Sequence, residues 1–316
     1  MIFNKLKKQI EYISFISSNK FSNNIYKIIL VISFAIIIYS FSFNKIKICL
    51  CTIGKNENLY IKEFVDYYKK LGYDKIFLYD NNDINGERFK DIIYNEIENG
   101  FITLIDYRGL NGKKNPQINA YRDCYKKNSQ KYDWLSFFDI DEYLKLIPSS
   151  LNIQNFLNNK RYKHCQNVKI NWIFYTNNNS LFYENKSLEQ RVNIPLLNST
   201  ENLHIKSTVR GKLPINYWSI AINPHTSLNK FVSCSSSGKI IDYKSPFNNP
   251  PDYKYAYINH LHNKSFEEYC LKIKRGRPMP KYKIYKKKMI KQLFKINRNN
   301  KIKLKILKKI FKESHK

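Results

Sequence analysis

Residues 134–143 read WLSFFDIDEY, an apolar run that leads directly into a cluster of acids. The first five residues are typical of a buried β-strand. If the chain stays extended beyond them, Asp139 and Asp141 point to the same side, because side chains alternate along a strand. Two carboxylates suit Mg²⁺ or Mn²⁺, and an ion held there would also bind phosphate groups. The alternative is that the two carboxylates only cap a turn.

Upstream of this stretch, apolar runs with strand spacing alternate with runs of helical spacing. The predicted strands lie at 46–53, 75–79 and 101–105, and the predicted helices at 59–71, 88–99 and 115–130. Gly72 stands where a helix C-cap is expected, and Asn115-Pro116 resembles an N-cap followed by proline at the first helical position. With 134–138 as the fourth strand, this order predicts an α/β fold with a mostly parallel sheet flanked by helices on both faces.

Polar residues follow three of the predicted strands at the point where each strand ends. Lys55-Asn56-Glu57 follows the first strand, Asp80 follows the second, and the DIDE segment follows the fourth. In sheets of this kind, ligands bind beyond the carboxyl ends of the strands. We therefore expect these distant segments to converge on one crevice that forms a ligand site.

The segment at 28–43 reads IILVISFAIIIYSFSF and contains sixteen uncharged residues. This is close to the roughly 17–25 residues of a membrane-spanning helix, and the lysines that precede it favour a cytosolic N-terminus. We expect a single-pass, type II membrane protein with four segments. These are a basic segment at 1–27, an anchor at 28–43, a main domain at 45–276 and a basic helical tail at 277–316. The alternative for the anchor is a buried or peripheral hydrophobic helix.

The formal net charge is +30, and much of it lies near the C-terminus. From residue 271 onward, nineteen lysines and arginines stand against one acid, Glu313. Apolar residues at 302, 304, 306, 307, 310 and 311 form a partial amphipathic stripe. This stripe predicts contact between the tail and a membrane surface rich in acidic lipid. A solvated terminal helix is the alternative, and AT-rich codon usage is an equally good explanation for part of the lysine excess.

The chain contains six cysteines and no CxxC pair, so a structural zinc site is not expected. Cys49 and Cys51 alternate within an apolar run, where free cysteines usually act as small buried hydrophobic residues. The spacing of the six residues leaves disulfides open without requiring them.

The motifs resemble those of glycosyltransferase family 92 and its relatives, which in turn resemble GT-A-type enzymes of family 2. The matching positions, in chain order, are Lys55-Asn56-Glu57, Tyr79-Asp80-Asn81, Gln117, Ala120, Cys124, Trp134, Asp139, Asp141, Glu142, Tyr143, 189–191, 206–210, 223–225, 259–265, 267–269, Lys272 and 275–276. The resemblance spans roughly 46–276. It departs from the family pattern by lacking a serine near Asp83 and by placing Leu261 where an aromatic residue is usual.

The resemblance implies a GT-A-type, metal-dependent hexosyltransferase. Its reaction would move a sugar, with galactose indicated, from a UDP-sugar to a hydroxyl of a glycan, glycoprotein or glycolipid acceptor. Inversion at the anomeric carbon is implied by the same resemblance. In a eukaryote, the anchor would place such an enzyme in a Golgi-like membrane.

The resemblance also implies roles for individual residues. Nucleotide-sugar contacts are expected from Lys55, Glu57, Asp80, Gln117, Asp139, Lys206 and Arg210, and ligands for Mn²⁺ or Mg²⁺ from Asp139, Asp141 and His260. Glu57 and Asp80 would hold the uridine, with turn formation as the alternative role of Asp80. Lys206 and Arg210 would bind the phosphates, with ordinary solvation as the alternative for Lys206.

The sequence leaves open which residue acts as the catalytic base that an inverting enzyme needs. Glu142 adjoins the predicted metal ligands, but its alternative role is to orient them. Other carboxylates that remain possible are Glu189, Glu201, Asp242 and Glu267.

Three other classes of protein compete with this interpretation. The first is a catalytically inactive GT-A-like module attached to a membrane, and the second is a different metal-dependent phosphate enzyme such as a nucleotidyltransferase. The third is a basic nucleic-acid-binding protein. Because no recognisable nucleic-acid module accompanies the charge, we expect no nucleic-acid partner.

Overall fold

The computed structural model describes residues 32–33, 46–109, 115–176, 179–213, 225, 231–276 and 282–312. The described residues from 46 onward belong to one compact unit. Within the described ranges, no helix combines the length and the apolar character that crossing a bilayer requires. The anchor expected at 28–43 falls outside these ranges except for two residues. The anchor, its orientation and the predicted segment boundaries therefore stay predictions.

Four parallel strands form the first half of the sheet. They are β1 (Ile48–Gly54), β2 (Lys75–Asp80), β3 (Ile102–Asp106) and β4 (Trp134–Phe137), arranged in the order β3-β2-β1-β4. Each observed strand overlaps the strand predicted at that position. In this half of the molecule, the predicted alternation of strand and helix is confirmed.

Helices connect these four strands. They are α1 (Asn58–Leu71), α2 (Tyr94–Glu98) and α3 (Pro116–Asn128). Gly72 ends α1 in the left-handed conformation with a φ of 97°, as expected for a C-cap. The helix predicted at 88–99 is wrong over its first half, where a 3₁₀ turn at Phe89–Asp91 precedes α2. The β-branched pair Ile92-Ile93 disfavours a continuous helix there, because such side chains lose rotamer freedom in a helix.

The second half of the sheet is mixed. Its strands are β5 (Glu142–Leu146), β6 (Asn167–Thr176), β7 (Ile194–Pro195), β8 (Ile205–Arg210), β9 (Ser233–Cys234), β10 (Ile240–Ile241) and β11 (Ala256–His260). β8 runs antiparallel to β4 and β6, and β11 runs antiparallel to β5. The prediction of a mostly parallel sheet is therefore wrong beyond β4. α4 (Ile153–Leu157) and α5 (Leu188–Arg191) are too short to serve as the helical crossovers that join parallel neighbours, and the parallel pairs of this half, β6 with β9 and β6 with β11, join strands far apart in the sequence.

The side chains of β1 alternate between two hydrophobic clusters on opposite faces of the sheet. Leu50 belongs to the cluster that contains Phe64 of α1. Cys51 belongs to the cluster that contains Tyr121 of α3. All four side chains are fully buried. The sheet thus carries helices on both faces, as the sequence pattern predicts.

Two disulfides link elements that lie far apart in the sequence. The bonded pairs are Cys51–Cys124 and Cys165–Cys234. Cys49 is a free, buried thiol, as expected, but the same expectation is wrong for Cys51. Because α3 packs over the face of β1 to which Cys51 points, Cys124 comes within bonding reach. This proximity depends on where α3 packs, which the spacing of cysteines does not reveal.

Cysteine mapping tests this pairing. We expect protein that is unfolded without a reductant to take up alkylating reagent only at Cys49 and Cys270, the two free thiols. After reduction, all six cysteines should react. Peptide mapping under non-reducing conditions should recover Cys51 joined to Cys124. Labelling of either of these two residues before reduction would contradict the assignment.

Within the described residues, three helices follow β11 in the chain. They are α6 (Phe266–Arg275), α7 (Tyr282–Ile296) and α8 (Lys301–Lys312). Leu307 of α8 is fully buried in a cluster with Cys270 and Ile273 of α6. Ile306 and Ile310 are buried in the same cluster. Residues 306, 307, 310 and 311 of the apolar stripe therefore pack in the cluster with α6, and the membrane contact predicted for them is wrong, whereas Ile302 of the stripe is 53% exposed.

Substitutions in α8 test whether this helix is part of the domain. Leu307→Ala should lower the free energy of unfolding by about 2–5 kcal/mol, because it opens a cavity in a buried cluster. Ile302→Ala removes a side chain of the same helix that is 53% exposed, and it should cost about 0.5 kcal/mol or less. Chemical denaturation followed by circular dichroism measures both. Equal, small losses would show that α8 does not pack on α6.

Candidate active site

The carboxyl ends of β1, β2 and β4 meet at one edge of the sheet, and two antiparallel strands bring further residues to it. β8 runs opposite to β4, so Lys206 near its start lies beside Asp139. β11 ends at His260, which pairs in register with Glu142 of β5. Most of the residues singled out in the sequence are therefore gathered at this edge. What they bind stays a prediction.

Asp139 accepts hydrogen bonds from two side chains of α3. Nε2 of Gln117 lies 2.6 Å from Oδ1, and the hydroxyl of Tyr121 lies 3.0 Å from the same oxygen. The other oxygen, Oδ2, pairs with Lys206 at 2.8 Å. Burial alone would raise the pKa of Asp139, but the charge of Lys206 holds the pKa below its ordinary value. Asp139 is therefore an ionised carboxylate oriented from two sides.

The acidic segment bends instead of continuing as a strand. The amide of Glu142 donates to the carbonyl of Asp139 at 3.1 Å, which closes a turn directly after β4. The expectation that Asp139 and Asp141 point the same way is therefore wrong. Among the described residues, the ligand atoms of Asp139, Asp141 and His260 do not gather within 4.8 Å of one another.

Glu142 and Lys206 lie beneath this turn, and neither side chain has exposed surface. Oε2 of Glu142 accepts from the amide of Asp139 at 2.9 Å and lies 3.4 Å from Nζ of Lys206. Oε1 has no hydrogen-bond partner within the described part of the chain. Burial raises the pKa of Glu142 well above its ordinary value. Its full burial favours the orienting role over that of a catalytic base.

Asp141 faces the opposite way from Asp139. Its Oδ2 pairs with Lys272 at 2.7 Å, and its Oδ1 lies 3.8 Å from Nε2 of His260. Burial would raise the pKa of Asp141, but the charge of Lys272 is the largest effect against it and the pKa stays well below its ordinary value. Asp141 is therefore an ionised carboxylate at neutral pH.

His260 presents a buried imidazole to Asp141. The residue is 6% exposed, and its ring centroid lies 4.1 Å from that of Trp172. Burial lowers the pKa of His260 well below 6.5, so the ring is neutral at pH 7. Nδ1 has no hydrogen-bond partner among the residues that the structure describes. A neutral ring retains a lone pair for a metal ion.

Asp141 and His260 fit a divalent metal ion, whereas Asp139 does not join them. Two ligand atoms that share an ion at about 2.1 Å lie no more than about 4.2 Å apart, and the 3.8 Å between Oδ1 and Nε2 satisfies this limit. An ionised carboxylate with a neutral imidazole is a donor set that Mn²⁺ accepts. The predicted set of three protein ligands is thus reduced to two, because Asp139 is turned toward Lys206.

Glu57 is the centre of a buried ion-pair cluster. Its Oε2 accepts from Lys264 at 2.7 Å, and its Oε1 accepts from Nη1 of Arg275 at 2.6 Å. Burial would raise the pKa of Glu57, but these two cations lower it below its ordinary value. A lowered pKa contributes stability above the unfolded-state pKa, and that stability is lost as the pH falls through the folded-state pKa. The carboxylate expected to hold uridine therefore already binds two cations.

Lys55 and Asp80 both take part in the loops that follow β1 and β2. Lys55 pairs with Asp83 at 2.9 Å. Oδ1 of Asp80 accepts from the main-chain and side-chain amides of Asn82, at 3.0 and 2.7 Å. Its Oδ2 lies 3.4 Å from Arg108. Asp80 thus has the turn-forming role that was its alternative, while nucleotide binding by Lys55 and Asp80 stays a prediction.

Arg210 lies outside the site. It pairs in register with Trp134, at the start of β4, whereas Lys206 lies near the end of that strand. At about 3.3 Å per residue of strand, four residues separate the two cations by about 13 Å. The Arg210 side chain donates to the carbonyls of Cys165 and Tyr162 at 3.0 and 2.9 Å. The prediction that Arg210 binds phosphate is therefore wrong.

Three imidazoles surround Trp172 beside the acidic turn. The ring centroids of His204, His225 and His260 lie 4.9, 5.5 and 4.1 Å from that of Trp172. Burial, together with the charge of Lys206, lowers the pKa of His225 to about 4. The side of the site next to His260 is therefore lined by the indole of Trp172 and by imidazoles, of which those of His225 and His260 are neutral at pH 7.

Several residues of the site were not predicted from the sequence. Tyr121 follows Gln117 by four residues, and this helical spacing places both on one face of α3, so a signal was present. Lys264 lies in a stretch that matches the family pattern, but the sequence does not show that it pairs with Glu57, so no role was predicted for it. Lys272 and Arg275 match the family pattern, but they stand in a stretch so rich in cations that no role was predicted for either.

A protein-family model matches most of the chain. The chain belongs to glycosyltransferase family 92, whose model matches residues 44–309. It is 29% identical over 119 residues to a family 92 protein of Ricinus communis, a match that covers 36% of this chain and 20% of that protein. A family 92 protein of Oryza sativa subsp. japonica is 26% identical over 115 residues, with 36% and 19% covered. The chain thus aligns with about a fifth of the length of these curated relatives.

Solved structures also match. S. aureus TarS 1-349 in complex with UDP aligns with 80% of this chain and 73% of its own, at 13% identity and a TM-score of 0.37.

A double-mutant cycle on Glu57 and Lys264 tests the buried cluster. Lys264→Met should cost about 3 kcal/mol of unfolding free energy, because Glu57 loses one of its two buried partners. Adding Glu57→Gln should restore part of this loss, since the uncompensated carboxylate is removed. Lys254→Met, at an exposed lysine, serves as the control. Denaturant titrations at pH 7 measure wild type, the two single variants, the double variant and the control. Strict additivity of the two changes would rule out the pairing.

Proposed function

We propose that the chain is a metal-dependent glycosyltransferase that moves a sugar from a UDP-sugar donor to an acceptor hydroxyl. The observation that carries the proposal is the acidic turn at 139–142, placed at the carboxyl end of β4 with Asp141 facing His260. Membership of family 92 supports the same chemistry. The mixed α/β sheet is consistent with the GT-A-type fold that the resemblance implies.

Asp141 and His260 would hold the divalent ion, with Mn²⁺ or Mg²⁺ as the metals that the donor set suits. The ion would supply charge that stabilises the departing diphosphate. The protein contributes an ionised carboxylate and a neutral imidazole, both buried, at 7% and 6% exposure. In such a site electrostatic interactions are stronger than in water.

Asp139 would contact the nucleotide sugar beside the metal. Its side chain is 31% exposed, whereas that of Lys206 is not exposed. Gln117 and Tyr121 fix the carboxylate from α3, at 2.6 and 3.0 Å. A carboxylate held in this way can accept hydrogen bonds from ribose or sugar hydroxyls without reorganising first. Glu57 and Asp80, which lie at the carboxyl ends of the neighbouring strands β1 and β2, would contact the uridine.

We extend the proposal to galactose as the sugar, to inversion at the anomeric carbon and to a glycan, glycoprotein or glycolipid acceptor. These details rest on the family resemblance. Glu142 is excluded as the catalytic base in this scheme because its side chain is fully buried.

We also propose that the domain works in an oxidising, membrane-bounded compartment. Two disulfides support this, because such bonds persist in secretory compartments and are rare in the cytosol. The apolar segment at 28–43 would anchor the chain with its N-terminus in the cytosol. In a eukaryote, this corresponds to a type II protein of Golgi-like membranes.

Donor hydrolysis by the purified full chain tests the proposed activity. With Mn²⁺ present, one member of a panel of UDP-sugars should be consumed, and EDTA should stop the reaction. Asp141→Asn should lower the rate roughly a hundredfold or more, since it removes the carboxylate that would hold the ion whose charge stabilises the leaving group. UDP release, measured by chromatography, provides the rate.

The matched control is Asp66→Asn, which removes a carboxylate that is 54% exposed on α1. It should leave the rate unchanged. If the folded wild-type protein neither binds nor consumes any UDP-sugar, the inactive membrane-attached module becomes the better account. If Asp141→Asn is as active as wild type, the assignment of the metal site is wrong while the transferase proposal stands.

A further inference from the structure

The two cations expected to bind the donor's phosphates are unavailable to a ligand. Arg210 lies at the far end of β8 and is hydrogen-bonded to main-chain carbonyls. Lys206 has no exposed side-chain surface and lies 2.8 and 3.4 Å from Asp139 and Glu142. A diphosphate bound at this edge of the sheet must therefore be neutralised by other cations.

Two suitable cations lie on α6, three residues apart. Nζ of Lys272 lies 2.7 Å from Oδ2 of Asp141, and Nη1 of Arg275 lies 2.6 Å from Oε1 of Glu57. Their side chains are 19% and 18% exposed, in contrast to the buried Lys206. Residues three apart are neighbours on a helix surface, so both cations project from one side of α6 toward the carboxylates.

Both carboxylates keep a partner if these two cations move. Glu57 is also paired with Lys264 at 2.7 Å, and that lysine is nearly buried. Asp141 also faces His260, with which it would share a divalent ion. Lys272 would be repelled by that ion, because both carry positive charge. Neither move leaves a buried carboxylate without compensation, an arrangement that is strongly unfavourable.

The helix that carries the two cations is fixed at both ends. Ser265 caps its first turn, where its hydroxyl accepts from the amide of Glu268 at 3.2 Å. The Glu268 carboxylate pairs with Arg191 at 2.8 Å, and neither side chain is more than 5% exposed. Toward the other end of α6, Ile273 packs in the cluster shared with α8. Because α6 is held in place, its cations lose little conformational entropy when they bind a ligand.

We propose that Lys272 and Arg275 form the subsite for the diphosphate of the nucleotide-sugar donor. Each exchanges its carboxylate partner for a phosphate oxygen when a nucleoside diphosphate binds. Lysine supplies a flexible point charge, and arginine supplies a planar fork that matches pairs of phosphate oxygens. The inference rests on the proposed function, of which it names the phosphate-binding residues.

The test measures binding of UDP and of uridine to the full chain by calorimetry, with saturating Mn²⁺. Lys272→Met and Arg275→Met should each weaken UDP binding about tenfold or more, because each removes a charge-assisted hydrogen bond. Uridine, which lacks phosphates, should bind as it does to wild type. Lys308→Met removes the same charge from an exposed position of α8 and should leave UDP affinity unchanged.

Thermal denaturation verifies that each variant is folded. If Arg275→Met does not fold, Arg275→Lys replaces it. This variant keeps a cation beside Glu57 and loses only the planar guanidinium fork. It should also weaken UDP binding. Unchanged UDP affinity in the Lys272 and Arg275 variants would overturn the proposal. So would a result in which Lys272→Met only tightens Mn²⁺ binding, since Lys272 would then act solely as a counter-ion of Asp141.

A wild-type control separates this inference from the proposed function. If the folded wild-type chain binds none of UDP, GDP and ADP, the proposed function fails and the subsite fails with it. If wild type binds UDP and the variants bind it equally well, only the subsite is wrong.

Discussion

Lys206 lies beneath the acidic turn with no exposed surface, and its contacts determine the shape of the site. Its ammonium lies 2.8 Å from Asp139 and 3.4 Å from Glu142. A buried charge is tolerated only when it is paired, so Lys206 and these two groups hold one another in place. Glu142 in turn accepts from the amide of Asp139 and so fixes the turn. The direction of the Asp139 carboxylate and the turn that separates it from Asp141 follow from this arrangement.

The first half of the fold was readable from the sequence, because local patterns specify it. The strands up to β4 are apolar runs, and α1 has helical spacing that ends at Gly72. The second half was not readable, because its strands pair across long connections without a crossover helix between them. Because β8 runs antiparallel to β4, Lys206 lies at the site and Arg210 lies away from it. No local sequence pattern specifies the direction of this strand.

The candidate site was only partly predictable for a related reason. The sequence identified Asp139, Asp141 and His260 by residue type and motif, but not the turn that separates the two carboxylates. The partners of Asp141 and Glu57 lie 131 and 207 residues away, at Lys272 and Lys264. In a chain with 55 lysines and arginines, residue type alone does not show which cation makes a specific contact.

The position of α6 in the chain has a consequence for the order of synthesis. Every other segment at the edge of the sheet, from Glu57 to His260, leaves the ribosome before α6 does. Until α6 emerges, the nascent chain holds Asp141 without Lys272, and Glu57 without Arg275, one of its two cationic partners. The earlier strands therefore begin to assemble around unbalanced negative charge, and the site reaches its final electrostatic state only when α6 docks and α8 packs against it.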